Sequence, residues 1–141
     1  MSNEPLWQCQ SGDCFLRDVG GKLHLFFVLT NPADVTSYGY SSALKVLSVN
    51  ISSINPDNPL YDKTCVIQAG EYPFIAKESY VVYSRMMIDD VATIQRLLES
   101  GVFVSREPCS TALLKRILQG ALDSDRTRQE FQNIIRENMP E

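Results

Sequence analysis

His24 is the single histidine in the chain, and histidine is the side-chain type that ordinarily changes charge near neutrality. It is therefore the first candidate for moving a proton. A loop holding Gly70, Tyr72, Pro73, Phe74 and Lys77 offers two aromatic rings that could stack on bases, as single-stranded nucleic acid sites often do. The plainer reading makes Pro73-Phe74 an apolar plug. Cys9 and Cys14, separated by four residues, have a spacing that zinc ligands sometimes use. With one histidine and no second close cysteine pair, a closed four-ligand zinc site is not expected, and neither is any other metal or cofactor. Asp89-Asp90 is better placed to open a helix than to act as a carboxylate pair, since adjacent side chains diverge. Glycine-rich phosphate loops, nucleophile elbows, HExxH and dinucleotide fingerprints are absent from the sequence.

Composition bounds the elements that must position these residues. A chain of 141 residues, 44% apolar and 21% charged, is expected to form one domain, 1–141. Residues 1–14 are mostly polar, with Trp7 as their large apolar residue, and they are either loose or anchored by Trp7. Residues 15–105 carry the strand patterns with one helix inserted, and 106–138 carry the last helices. No apolar run approaches the roughly 20 residues needed to span a bilayer, and the start lacks a secretory pattern, so a cytoplasmic protein with reduced cysteines is expected. The net charge is −4, from 17 acidic and 13 basic residues. That excludes coating of nucleic acid by bulk charge but leaves room for a local basic groove.

The strands come first. Cys14–Val19 is a short strand ended by Gly20-Gly21, a hairpin signal. Leu23–Thr30 is nearly continuously apolar, as in a strand covered on both faces. Residues 33–42 form a loop. Leu44–Ile54 alternates: Leu44, Val46, Ser48, Asn50 and Ser52 share one face, and Lys45, Leu47, Val49, Ile51 and Ser53 the other. Thr64–Ile67 and Ser79–Met87 read as further strands. At Asp89 the period changes. Val91, Ile94, Leu97 and Leu98 form a helical stripe over Asp89–Ser100, closed by Gly101. Val102–Val104 returns as a short strand. Helices follow over Ser110–Leu122, with Leu113, Leu114, Ile117, Leu118 and Ala121 inward, and over Ser124–Asn138, with Phe131, Ile134 and Ile135 inward. Ser110 and Ser124 are their expected N-caps. The order predicts an α+β fold: a small, curled antiparallel β-barrel with C-terminal helices packed on it.

The element order over residues 22–122 resembles the MazF/PemK group of toxin ribonucleases, whose SH3-like barrel is shared with CcdB. The stretches that carry the resemblance are His24–Thr30, Val46–Ser53, Ser79–Arg85, and Gly101–Ser105 with Ala112–Leu122. Two positions depart from the family pattern, which has arginine where His24 stands and proline where Asn50 stands. The final helix lies outside it. The resemblance implies a homodimeric toxin of a toxin–antitoxin or prophage stability module, held off by an antitoxin protein and cleaving single-stranded RNA without metal. The ribose 2′-hydroxyl attacks the adjacent phosphate, and a 5′-hydroxyl leaves. In that reaction His24 would move the proton, Arg85 or Lys22 would offset phosphate charge, and Ser52 and Ser53 would hydrogen-bond the phosphate. Tyr72, Phe74 and Lys77 would hold the substrate. Each has an ordinary alternative: His24 as a satisfied strand residue, Ser52 and Ser53 as turn residues, Lys22 as a solvated hairpin residue, Arg85 as a partner of Asp89. The alternative function is a non-catalytic barrel meeting a protein partner through its loops.

Overall fold

In the computed structural model, which describes residues 9–139, seven antiparallel strands form one sheet with three helices. Trp7 lies outside the described residues. The strands are β1 (Cys14–Val19), β2 (Lys22–Val28), β3 (Lys45–Ser53), β4 (Val66–Ile67), β5 (Ser79–Val81), β6 (Met87–Asp90) and β7 (Val104–Arg106). The helices are α1 (Val91–Glu99), α2 (Thr111–Asp123) and α3 (Gln129–Glu137). The strand order is β4-β5-β3-β2-β1-β7, with β6 also paired to β3.

The sheet is not closed into a barrel, which corrects the SH3-like expectation. Among the described residues, β7 pairs with β1 alone and β4 with β5 alone, so the two ends of the sheet never meet. The apolar run in β2 explains why. Leu25, Phe27 and Leu29 pack into one core with α2 and α3, while Phe26 and Val28 pack into a second core with Phe15, Ile94 of α1 and Phe103. A sheet with apolar side chains on both faces is covered on both by helices. A closed barrel would turn one of those faces outward. The outer strands, of two and three residues, are also too short to carry a closed ladder.

Local chemistry sets the other boundaries. Gly20 and Gly21, at φ 64° and 87°, make the two-residue turn between β1 and β2, a left-handed backbone that glycine adopts without strain. The stretch from Ser79 to Met87 is not one strand. A 3-10 turn at Tyr83–Arg85 divides β5 from β6, because the Tyr83 side chain turns inward and donates to the Ile117 carbonyl at 2.7 Å. Asp89 and Asp90 end β6, and Asp90 makes no side-chain cap to α1. It pairs instead with the buried Lys45 at 2.5 Å. Ser110 caps α2 by accepting from the Leu113 N–H at 3.1 Å, and the five inward residues of α2 are all buried. Ser124 does not cap α3, which starts later at Gln129. Its hydroxyl donates to Asp62 at 2.6 Å.

Candidate functional site

The site lies where two strands part. The β2–β3 register runs only from Val28↔Ser48 to Phe26↔Asn50. Carried further, it would set Leu25 against Ile51 and His24 against Ser52. Instead β3 continues along β5 (Ile51↔Val81 to Ser53↔Ser79), while β2 continues along β1 to its turn. The gap between them is a groove of about 540 Å³, within the roughly 300–1,000 Å³ range of small-ligand sites. Lys22, His24, Ser52, Ser53, Phe74 and Lys77 all line it, with Ile51 and Ile75 as apolar floor.

A second hollow of about 270 Å³ adjoins it, lined by Asn50, Tyr61, Asp62, Tyr80, Arg85 and Arg126 among others. His24 and Ser52 line both, so the two spaces meet at that pair. Seven of the eight expected site residues therefore face one continuous depression. His24 and Ser52 are half-buried, and Lys22, Ser53, Phe74, Lys77 and Arg85 are exposed.

Tyr72 is the exception. It is 3% exposed, stands edge-on to Phe27 with centroids 5.7 Å apart, and donates its hydroxyl to the Glu107 carbonyl at 2.5 Å. Burial pushes its phenol pKa up. Tyr72 positions the loop rather than touching the groove. Its carbonyl accepts from the Ile75 N–H at 2.9 Å, and the Lys77 carbonyl accepts from the Ser79 hydroxyl at 2.8 Å, so the segment carrying Phe74 and Lys77 is tied at both ends. The plug is thus Tyr72. Phe74 is 39% exposed, with the Arg106 guanidinium 5.6 Å from its ring centroid.

Electrostatics distinguishes this depression from the rest of an acidic chain. Lys22, Lys77, Arg85 and Arg126 line it, and Asp62 is its one lining carboxylate. Burial alone would push the Asp62 carboxyl up. Hydrogen bonds from Ser124 and Thr64, with the charge of Arg126, outweigh that and hold it below the ordinary aspartate range. Asp62 is thus an anion already occupied by donors. The ion pairs among the described residues are Lys45–Asp90, Arg116–Glu71 and Arg128–Glu130, and none uses the four lining cations. The Arg85–Asp89 pair weighed from sequence is not among them.

Several residues in or beside the depression had no part in the sequence-based expectation. Arg17, which does not line it, lies directly opposite His24 in the β1–β2 register, with its guanidinium 5.3 Å from the Phe103 ring centroid. The Gly-Gly hairpin carries this signal, since a two-residue turn at Gly20-Gly21 pairs position 17 with 24. Tyr61 and Tyr80 stand with centroids 5.1 Å apart, and Lys63 lies 5.5 Å from the Tyr61 ring centroid. Tyr61 and Arg126 reach the hollow from loops, and no periodicity announces them.

The arrangement can hold a chain of phosphates by its cations, stack a base on Phe74 or on the Tyr61–Tyr80 pair, and present an imidazole and a hydroxyl to the same space. Among the described residues, no group of three or more His, Cys, Asp or Glu side chains could hold a metal ion. No helix among them is long and apolar enough to cross a membrane. No family model, curated protein or solved structure matches the chain.

Proposed function

We propose that the depression between β2 and β3 binds single-stranded RNA and that His24 cleaves it. Four lining cations against one lining carboxylate, Asp62, in a chain of net charge −4, carry this reading; among the described residues none of the four is in a close ion pair, and Arg126 acts on Asp62 only at longer range. A localised basic groove attracts a polyanion, while the surrounding acidic surface limits non-specific contact. Lys22, Lys77, Arg85 and Arg126 neutralise the backbone, and Phe74, Tyr61 and Tyr80 supply stacking faces. His24 takes the proton of a ribose 2′-hydroxyl as that oxygen attacks the adjacent phosphate. Ser52 donates to a phosphate oxygen, and the nearby cations offset the charge that builds there. The products are a cyclic phosphate and a free 5′-hydroxyl. A cytoplasmic location fits such a substrate.

The experiment compares wild type with His24→Ala on a labelled single-stranded RNA and on the same sequence as DNA. Cleavage of RNA alone, lost in His24→Ala while binding persists, is the expected result. Cleavage of both nucleic acids, or equal RNA cleavage by both proteins, would refute the role given to His24.

A second reading has one observation in its favour. The β2–β3 ladder stops at Phe26↔Asn50, so beyond it two strands border the groove without pairing to each other. An extended peptide pairs with backbone of that kind, which would make the chain a non-catalytic module for a protein partner. RNA binding absent at low salt, together with capture of an extended peptide, would favour it.

A further inference from the structure

Away from the groove, two thiols meet at one carbonyl. Cys14 opens β1 and is fully buried, and Cys109 precedes the N-cap of α2 and is half-buried. The Gly12 carbonyl oxygen accepts the Cys109 N–H at 2.9 Å and the Cys14 thiol at 3.4 Å. Each of the two side chains also acts on the other's titration, Cys14 on Cys109 and Cys109 on Cys14. Residues 95 apart in sequence are thereby held side by side, both reduced.

We propose that Cys14 and Cys109 are a peroxide-oxidisable dithiol that closes to a reversible disulfide. Cys109 is the attacking sulfur, since it is the solvent-reachable member. Its thiolate attacks one peroxide oxygen, the O–O bond breaks, and the departing hydroxide takes a proton to leave as water, so Cys109 becomes a sulfenic acid. The Cys14 sulfur then attacks the Cys109 sulfur and gives up its proton. The S–S bond forms, and the sulfenic oxygen leaves as a second water. The two thiols lose two electrons, which reduce the peroxide. A small thiol reverses the step by exchange.

The electrostatics assigns the same roles. The neighbouring Cys14 thiol lowers the Cys109 pKa, and Cys109, with burial, raises that of Cys14. The other cysteines are poor competitors. Burial pushes Cys9 up to about 12 and raises Cys65, and both are buried. Thiolate character and access decide which cysteine reacts.

The full chain is treated with hydrogen peroxide, its remaining thiols are alkylated, and the protein is digested without reduction for mass spectrometry. The expected product is one linked peptide pair containing Cys14 and Cys109, lighter by two hydrogens and abolished by dithiothreitol. In Cys109→Ser the link disappears and Cys14 stays alkylatable. In Cys14→Ser, Cys109 proceeds to sulfinic acid. A wild-type protein that forms no such link while Cys109 is over-oxidised overturns the proposal. So does a link of either cysteine to Cys9 or Cys65. The wild-type result decides even if a variant fails to fold.

Discussion

Replacing Gly120 with alanine should unfold the chain more easily, although helix propensity argues the opposite. An interior helical glycine changed to alanine ordinarily gains about 1 kcal/mol. Here a Cβ at position 120 would overlap the Tyr83 hydroxyl oxygen, and would lie 2.9 Å from Tyr83 Cζ and 3.1 Å from Cys65 Cβ. Those atoms are buried and cannot swing into solvent. Overpacking of this kind costs about 1–3 kcal/mol. Displacing the Tyr83 hydroxyl from the Ile117 carbonyl, 2.7 Å away, strands a buried polar pair at about a further 1–3 kcal/mol. The net destabilisation is about 3 kcal/mol, and the melting temperature falls by roughly 10 °C for a domain of this size. The assay is thermal and urea unfolding of Gly120→Ala, Tyr83→Phe and the double variant. The double variant should recover part of the loss, because the overlapped oxygen is gone. An unchanged or raised melting temperature in Gly120→Ala would refute the close approach of α2 to the Tyr83 turn. That turn also carries Arg85 to the site.

Further outcomes follow from the same contacts. Asp62 has its carboxyl lowered in the folded state, so its contribution to stability is complete above the ordinary aspartate value of about 3.9 and is lost as pH falls through the lower folded value. Melting temperature against pH should therefore fall less steeply below about pH 4 in Asp62→Asn than in wild type; identical acid limbs would contradict the assignment. Tyr72→Phe removes the bond to the Glu107 carbonyl and should cost about 1–3 kcal/mol in urea unfolding, with RNA affinity nearly unchanged. Phe74→Ala should reverse the pattern, with stability nearly unchanged and affinity lower by about 1–3 kcal/mol if a base stacks there. Equal effects of the two changes on binding would show that the tyrosine, too, faces the ligand.

Much of this fold is legible where local rules agree. Gly20-Gly21 and the alternation around it mark β1 at the bounds observed, and the stripe on α2 names its buried face. Contacts remote in sequence govern the rest. Whether a sheet closes depends on which strands meet at its ends, and β2 alone cannot show that α1 covers its second face. Tyr83 breaks an apparently continuous strand for the sake of a carbonyl on α2. Ser124 looks like an N-cap until Asp62 claims its hydroxyl. That His24, Ser52 and Ser53 line one groove is legible in the sequence, because an antiparallel β2–β3 register aims those positions at each other even though the ladder stops at Phe26↔Asn50. Tyr72 misled because an aromatic beside Gly and Pro in a loop looks exposed, while its hydroxyl reaches a backbone carbonyl 35 residues on.

The most direct measurement is the salt dependence of RNA binding, followed by fluorescence anisotropy on a short single-stranded oligonucleotide. Each neutralised phosphate contributes about 0.7 to the slope of log K against log salt for a single strand, so the four lining cations predict a slope of about −3. Lys22→Ala with Lys77→Ala should weaken binding for every sequence and reduce the slope in magnitude by about 1.4. A wild-type protein that does not bind at low salt, or a double variant with an unaltered slope, would contradict the placement of RNA between β2 and β3.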